Sequence, residues 1–516
     1  MTSLRPRLLA AASLSVALTF AGTLMSGTVL AAPTGVMTVA TIGEPPSLDP
    51  MSTTADLVGT ITQHVFETLY AFDANWTLKP LLAAGEPVVT DEGKVWTIPL
   101  RSGVKFHDGS AMGGEDVLAS VKRWLAVSPR GKTVAAVLEE VSVVDGKALR
   151  FTLKKPFAPL GSLLAFNNGA AVMMPKAQAE AEGPLKTFIG TGPFRLVEHK
   201  PDQYIRLEAF ADYASPAGEA SGYAGKREAK VAELRFVPTP NAVTRLEGAL
   251  SGQFLYSDAL PTEMKARING KPGVKPVVVK PFAWPFMIMN NKEGSLANAT
   301  LRRAIQSALA PEDMLMAAFG DPEFFAVNGP FYGKGAALAS TKGAETFGAA
   351  DAAKAKVLAK GAGYKGEPIR IMTSTQYDFP YKMSLVAKQQ LEDAGFKVDL
   401  QVLDWATLVQ RRNDPKQWDA LFTYHTFVPE PSLITIMNPA YAGWWDTPEK
   451  AAALDAFNSD ANPSTRAVLW GNLQDVFFKQ APTLKIGEFY SLAATSDKVE
   501  GLNPAPWPYF WNVSVK

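Results

Sequence analysis

The amino-acid sequence predicts an α/β fold with more than one domain, and three observations lead to this prediction. Its 516 residues are more than a single hydrophobic core ordinarily holds. Its composition, 47% hydrophobic and 20% charged, is that of a folded globular protein. Strand-like and helix-like segments alternate between residues 368 and 425 in the order βαβαβ, which predicts parallel strands joined by right-handed crossovers.

The first 31 residues have the layout of a secretory signal peptide. Arg5 and Arg7 precede an apolar run that begins at Leu8, and Val29 and Ala31 occupy the two small-residue positions before a cleavage site. We therefore expect cleavage after Ala31. The alternative is an uncleaved membrane anchor, because the apolar run is long, but Ala, Ser, Thr and Gly dilute it.

Charge and cysteine content exclude several classes of protein. Lys and Arg number 51 against 50 Asp and Glu, so no excess positive charge points to nucleic acid or to an anionic membrane. The chain has no cysteine, which excludes disulfides, a thiol nucleophile and lipid attachment after export. Its four histidines are far apart without ligand spacing, so we expect no metal site and no cofactor.

Hydrophobic patterning predicts the first elements in the N-terminal half. Residues 36–43 are typical of a strand, and residues 95–110 of a strand that ends in a turn at His107–Gly109. Residues 113–127 are typical of a helix that begins with acidic residues. Its apolar face carries Val117, Val121, Trp124 and Leu125.

The clearest unit comes later in the chain. Residues 368–375 predict a strand, residues 381–395 a helix that ends at Gly395, and residues 396–405 a half-buried strand. A further helix leads to a third strand at 418–425. In parallel sheets of this kind, ligands bind beyond the carboxyl ends of the strands.

Three strand ends are therefore expected to face a ligand. They are Ser374–Thr375, Asp404–Trp405 and Tyr424–His425. The last one opens the segment TYHTFVPEPS, in which a histidine lies among aromatic residues. His425 has two interpretations: a residue that hydrogen-bonds or orients a ligand, and a buried histidine that is satisfied by the protein itself.

Five segments together resemble one family. They are GEPPSLDPMSTTAD (43–56), VFETLYAFDANWTLKPLLA (65–83), WTIPLRSGVKFHDGSAMGGEDVLASVKRW (96–124), IGTGPFRLVE (189–198) and RLEGALSGQF (245–254). In order and separation they resemble the extracytoplasmic solute-binding proteins of ABC importers, in the family 5 group that includes dipeptide-, oligopeptide- and nickel-binding proteins. The resemblance extends over nearly the whole chain after the signal.

The resemblance implies a periplasmic binding protein-like fold, with two lobes joined by a hinge and an extra subdomain in the first lobe. Mapped onto this sequence, lobe I consists of residues 32–66, 190–280 and 490–516. The extra subdomain is 67–189, and lobe II is 281–489. The βαβαβ unit then belongs to lobe II, with its strand ends toward the cleft between the lobes.

The function implied is capture of a small solute by hinge closure, without chemistry. The implied partners are a peptide-like, sugar or other organic ligand and the permease subunits of an ABC transporter, and the implied state is a monomer free in the periplasm. Two alternatives stay open: an extracytoplasmic hydrolase, and a chaperone or sensor with the same scaffold. Residue patterns for a nucleophile that would favour the hydrolase are missing.

The pocket differs from that of the peptide-binding relatives. Their aspartate that holds the peptide's amino group aligns with Phe427, three residues before Glu430–Pro431, and their carboxylate-binding arginine aligns with Ser374. A zwitterionic dipeptide is thus an unattractive ligand, and aromatic and neutral groups are expected to bind instead. The predicted ligand-binding residues are Thr54, Trp284, Ser374, Thr375, Tyr377, Trp405, Tyr424, His425, Phe427 and Trp445.

Overall fold

The computed structural model describes Thr2 and residues 33–345, 347–375 and 378–516, without the side chains of Trp405, Ala406 and Pro463. The predicted signal peptide lies outside the described residues, apart from Thr2. Residues 33–516 form one compact unit. Among the helices that are described, none has both the length and the apolar character needed to cross a membrane.

The strands are β1 (Val36–Thr41), β2 (Tyr70–Phe72), β3 (Leu78–Pro80), β4 (Val88–Thr90), β5 (Val95–Pro99), β6 (Leu138–Val144), β7 (Ala148–Leu153), β8 (Phe194–Lys200), β9 (Tyr204–Ala209), β10 (Glu233–Pro238), β11 (Tyr256–Leu260), β12 (Val274–Met289), β13 (Phe325–Ala326), β14 (Ile369–Thr373), β15 (Val398–Val402), β16 (Ala420–Thr426), β17 (Thr483–Lys485), β18 (Glu488–Ser496), β19 (Val499–Glu500) and β20 (Ser514–Val515).

The helices are α1 (Asp56–Thr62), α2 (Gly114–Val127), α3 (Pro129–Val137), α4 (Leu160–Leu163), α5 (Lys176–Ala179), α6 (Ala242–Leu250), α7 (Lys265–Ile268), α8 (Ala299–Ala308), α9 (Pro311–Phe319), α10 (Ala352–Gly361), α11 (Asp378–Asp393), α12 (Trp405–Arg411), α13 (Pro448–Ser459) and α14 (Pro463–Gln480).

The predicted α/β class and the βαβαβ unit are confirmed. Strand β14 pairs in parallel with β15 on one side and with β16 on the other, and α11 and α12 provide the crossovers. The helix α11 packs its Met383, Ala387 and Leu391 into the core, at the spacing of one helical face. The carboxyl ends of β14, β15 and β16 therefore lie at the same edge of the sheet.

One large sheet runs through the described chain. Its order is β15-β14-β16-β12-β18-β11-β1-β10-β9-β8, with β17 paired to β12 and β13 paired to β18. Strands β12 and β18 belong to both halves of this sheet, because β12 pairs with β16 while β18 pairs with β11. The two halves of the protein are thus joined through two adjacent strands.

The connection between the halves shows an irregularity. Residues 274–279 of β12 pair regularly with β18, and the register then shifts between Val279 and Ala283. Beyond the shift, β12 pairs with β16 from Ala283 to Met289. The predicted lobe boundaries after residues 280 and 489 fall within these two strands, and they remain a prediction.

The segment predicted as the extra subdomain has its own sheet. Strands β4, β5, β7 and β6 form an antiparallel four-stranded sheet in that order, and α2 packs on it with Val117, Val121 and Trp124 buried. His107 ties this part to the segment near residue 190. Its Nδ1 accepts from the Gly190 N–H at 3.2 Å, and its Nε2 donates to the Gly192 carbonyl at 3.0 Å.

Candidate functional site

A carboxylate on one side of the cleft joins three distant segments of the chain. Asp56, the first residue of α1, accepts hydrogen bonds at Oδ1 from Trp507 Nε1 at 2.7 Å and from Asn168 Nδ2 at 2.8 Å. Its Oδ2 accepts from Thr426 Oγ1, at the end of β16, at 2.9 Å. Asp56 therefore links the start of α1 to the end of β16, where a ligand was predicted.

A guanidinium lies beside this carboxylate. Arg130, in the first turn of α3, donates from Nε to the Asn168 carbonyl at 2.8 Å and from Nη2 to Asn168 Oδ1 at 2.6 Å. Its Cζ lies 4.5 Å from the centre of the Phe166 ring, within the range of a cation–π contact. Desolvation lowers the pKa of Arg130 to about 10, although the charge of Asp56 opposes this shift.

His425 lies opposite these two charges and is neutral. Its Nδ1 donates to the Thr426 carbonyl at 2.6 Å, and its Nε2 accepts from the Thr435 N–H at 3.1 Å. The pKa of His425 is lowered to about 4, mainly by burial and also by the charge of Arg130, while the charge of Asp56 opposes the shift. Both ring nitrogens have partners within the protein, as expected of a buried, satisfied histidine, and a contact between His425 and a ligand stays a prediction.

Aromatic rings close the cleft around Phe427. The ring centre of Phe427 lies 5.0 Å from that of Trp76, in the segment predicted as the extra subdomain, and 5.4 Å from that of Trp284. Tyr332 completes the group at 6.1 Å. Because Trp284 and His425 are partners in the β12–β16 ladder, their side chains lie on the same face of the sheet.

A buried ion pair holds the loop that carries Phe427. Arg466 Nη2 donates to both carboxylate oxygens of Glu430, at 2.9 and 2.8 Å, and both side chains are about nine-tenths buried. The Tyr332 hydroxyl donates to the Val428 carbonyl at 2.9 Å. The first contact holds the side chain of Glu430 and the second the backbone of Val428, so the loop that follows Phe427 is anchored at two points.

A small cavity lies behind the aromatic group. It has a volume of about 40 Å³ and is lined by Phe72, Trp76, Phe166, Tyr223 and Trp507 among others. Room of this size corresponds to about three water molecules. It fits one small group of a ligand and is too small for a whole peptide.

The structure brings together four of the predicted ligand-binding residues. Trp284, His425 and Phe427 form one wall, as described above. Thr54 is exposed on the facing side, in the loop before α1. It lies next to Gly169, whose φ is +61° and at which an added Cβ would come within 3.1 Å of Thr54 Cγ2 and 3.3 Å of Arg130 Cγ.

Other predicted residues lie apart from this wall. Tyr424 faces the opposite side of β16, where its ring centre is 5.5 Å from that of Phe379 and 5.8 Å from that of Phe489. Ser374 is buried at the end of β14, and Thr375 is exposed after it. The structure thus places these three at the same sheet edge but away from Phe427, and their contact with a ligand stays a prediction.

Three of the predicted ligand-binding residues remain. Tyr377 and the side chain of Trp405 lie outside the described residues. Trp445 is 2% exposed and donates from Nε1 to Gln480 Oε1 at 2.7 Å, with its ring against Phe477. Trp445 therefore packs among core residues, and its contact with a ligand stays a prediction.

Sequence reasoning missed five residues of the site: Asp56, Trp76, Arg130, Asn168 and Trp507. Asp56 lies two positions after the predicted Thr54, so the reasoning that predicted Thr54 could have included Asp56. Trp507 belongs to PAPWPYFW, in which the density of aromatic residues is itself a signal. Trp76, Arg130 and Asn168 have no local pattern that marks them, because only the tertiary fold brings them to the cleft.

Within the part of the chain that is described, no three His, Asp or Glu side chains are arranged to hold a metal ion. The groups that converge on the cleft are hydrogen-bonding groups, aromatic rings and one pair of opposite charges. They can bind and orient a solute.

Comparison with known proteins agrees with this geometry. Residues 77–446 match the model of the bacterial extracellular solute-binding proteins, family 5. The chain is 26% identical over 484 residues to a probable peptide ABC transporter periplasmic-binding protein, y4tO, of Sinorhizobium fredii, covering 90% of this chain and 91% of the relative. It is 27% identical over 364 residues to the glutathione-binding protein GsiB of Pectobacterium atrosepticum, covering 69% of this chain and 67% of that one.

A solved structure shows the same fold. The periplasmic binding protein DppA of Helicobacter pylori, in complex with the peptide STSA, superposes with a TM-score of 0.77 at 20% identity. The match covers 93% of this chain and 98% of that one. The family consists of extracytoplasmic solute-binding proteins that serve ABC importers and are not enzymes. The chain belongs to family 5 of the bacterial extracellular solute-binding proteins and is the substrate-binding component of an ABC transporter.

Proposed function

We propose that this protein captures a small peptide-like or other organic solute between two groups of residues that meet when the lobes close. One group is Asp56, Trp76 and Arg130, and the other is Trp284, His425 and Phe427. The observation that carries the proposal is the hydrogen bond from Thr426 to Asp56, since it joins the predicted lobes at the strand end where ligands bind in such sheets.

The proposed mechanism of capture is closure of the two lobes on the solute. A ligand that touches both groups binds the closed form better than the open one, and it shifts the population by that difference in affinity. The irregular stretch of β12 between Val279 and Ala283 is the proposed hinge, together with the adjacent part of β18. The permease subunits of the importer then recognise the closed form.

The relatives indicate the class of ligand. One is described as a peptide-binding protein and another as a glutathione-binding protein. A peptide-like solute is consistent with the cleft of this chain, but its free amino group would face the ring of Phe427. An apolar ring cannot neutralise an ammonium group, so the proposed solute is blocked there or carries its charge elsewhere.

The proposal also includes the form of the mature protein. It is a monomer, released into the periplasm by cleavage after Ala31 and not attached to lipid. The sequence supports this through the small residues before the cleavage site and the lack of cysteine. N-terminal sequencing of exported protein that returned an intact Met1 would contradict it.

Mass spectrometry of the solute released on denaturing the purified protein tests the function. We expect one organic solute, in an amount near that of the protein, which restores closure when it is added back to refolded protein. Consumption of that solute by the purified protein would favour the hydrolase instead. Release of unfolded polypeptide in place of a small solute would favour the chaperone.

A further inference from the structure

The Nη1 group of Arg130 is a hydrogen-bond donor without a partner among the described residues. The Nε and Nη2 of Arg130 are bonded to Asn168, and among the hydrogen bonds of the described residues none involves its Nη1. The side chain is half-buried, so this donor is partly removed from water. A guanidinium in such a site gains free energy from a second hydrogen-bond acceptor.

The guanidinium is also held in one orientation. Two hydrogen bonds to Asn168 and the face of Phe166 fix its plane. Gly169, which leaves no room for a Cβ, brings the exposed Thr54 close to the stem of Arg130. A preorganised guanidinium loses little entropy when it binds a planar acceptor.

The neighbouring carboxylate of Asp56 does not accept a hydrogen bond from Arg130 Nη1 either. Asp56 shares Asn168 with Arg130, but the three hydrogen bonds of its carboxylate come from Trp507, Asn168 and Thr426. His425, on the facing side, is neutral with both nitrogens occupied. None of these hydrogen bonds uses Arg130 Nη1, so an anionic group of a ligand does not have to displace Asp56 or His425 to accept from it.

We propose that Arg130 binds a carboxylate of the transported solute. It does so in place of the arginine that, in the peptide-binding relatives, aligns with Ser374. This inference rests on the proposed function and narrows it. With Phe427 where an ammonium anchor would be, the class of solute is a carboxylate without a nearby free amino group. N-acylated amino acids and N-blocked short peptides have this chemistry.

Calorimetry with three probes tests this anchor. The probes are N-acetyl-alanyl-phenylalanine, its C-terminal amide, and the free dipeptide alanyl-phenylalanine. We expect the wild type to bind the N-acetyl acid about tenfold or more tightly than the amide, because only the acid forms a charge-assisted hydrogen bond with Arg130. The free dipeptide is expected to bind more weakly than the N-acetyl acid.

Variants at the same position separate anchoring from folding. Arg130→Gln should bring the affinity for the acid down to that for the amide and leave the amide unchanged, whereas Arg130→Lys should retain part of the difference. Arg195→Gln is the matched control, since Arg195 is exposed and, among the described residues, its ion pair is with Glu208. Melting temperatures of all variants show whether a loss of binding reflects loss of the fold.

Two results would overturn the inference. One is equal affinity of the wild type for the acid and the amide, including no binding of either. The other is an Arg130→Gln protein that is folded and still prefers the acid. Neither result touches the proposed function, because capture of a solute is measured independently by the molecule released from the purified protein.

Discussion

Thr426 Oγ1 and Asp56 Oδ2 lie 2.9 Å apart, and their hydrogen bond joins residues 370 positions apart in the chain. Asp56 begins α1, next to the loop that carries Thr54, and Thr426 ends β16 of the parallel unit. The same carboxylate receives Trp507 from the C-terminal segment. Three regions of the sequence thus meet around one charged group.

Removal of this hydrogen bond should weaken the closed form. In Thr426→Val the shape is kept and the donor to Asp56 is lost, so the affinity for the solute that co-purifies should fall by about 1.5–3 kcal/mol, the range for a bond to a charged group. Calorimetry measures the change. Thr423→Val is the control, because its hydroxyl makes no hydrogen bond with the described residues, and equal losses in the two variants would contradict the assignment.

The aromatic wall should contribute to binding through Phe427. Phe427→Ala removes the ring between Trp76 and Trp284, and we expect a loss of about 1–4 kcal/mol in affinity for the native solute, the range for a buried aromatic anchor. Trp405→Ala is predicted to have an effect in the same range. Phe188→Ala, at a half-buried ring in the extra subdomain, is the control. Unchanged affinity in both Phe427→Ala and Trp405→Ala would show that the alignment of the pocket is wrong.

Unmodified dipeptides should bind weakly or not at all. Neither Ser374 nor Phe427 carries a charge that can pair with a peptide terminus, and an unpaired buried charge costs several kcal/mol. Titration of the wild type with a panel of free dipeptides measures this directly. Tight binding of any of them would refute the predicted selectivity.

The stability of the protein should fall on mild acidification, in part because of His64. This ring is fully buried, donates from Nδ1 to the Ile61 carbonyl at 3.1 Å and accepts at Nε2 from the Phe510 N–H at 3.0 Å. Its pKa is lowered from 6.5 to about 3, mainly by burial and also by the charge of Arg227. Between these pKa values the unfolded chain binds a proton that the folded protein excludes, so stability is lost as the pH falls below 6.5.

The size of this effect can be measured by denaturant unfolding at several pH values. His64 should add up to about 1.4 kcal/mol per pH unit to the slope of the unfolding free energy. His64→Gln should reduce that slope whatever its effect on absolute stability. A slope that is the same in the wild type and His64→Gln would contradict the prediction.

Local pattern was enough to predict the βαβαβ unit and its parallel pairing. Predicted strands at 368–375 and 396–405 contain β14 and β15, and the one at 418–425 contains all of β16 except its last residue, because alternating and buried apolar residues mark strands clearly. The same alternation explains one limit of the prediction. Tyr424 and His425 are neighbours in a strand and therefore lie on opposite faces, so only one of them is placed beside Phe427.

Local sequence patterns could not predict the residues that surround Asp56 in the cleft. Arg130 and Asn168 come from the extra subdomain and Trp507 from the C-terminal segment, and only the long-range packing of the chain brings them to Asp56. Trp445 and Trp284 show a second limit. Both side chains are almost fully buried, at 2% and 1% exposed, so neither the sequence nor burial alone separates a tryptophan of the pocket wall from one of the core.

The central claim is that solute binding closes the two lobes, and a pair of spin labels tests it most directly. Lys155, in the segment predicted as the extra subdomain, forms an ion pair with Asp455, in the predicted lobe II, and the Ala158 N–H donates to the Asn458 carbonyl at 2.7 Å. Both side chains of the ion pair are exposed, and the chain has no other cysteine to label once Lys155→Cys and Asp455→Cys are introduced.

Double electron–electron resonance then gives the distance between the two labels, with and without the solute released from the purified protein. We predict a short distance with solute and a broader, longer distribution after it is removed by unfolding and refolding. A pair within lobe II, Lys354→Cys with Lys416→Cys, should show no change. Identical distributions for the Lys155 and Asp455 pair in both states would contradict closure as the mechanism of capture.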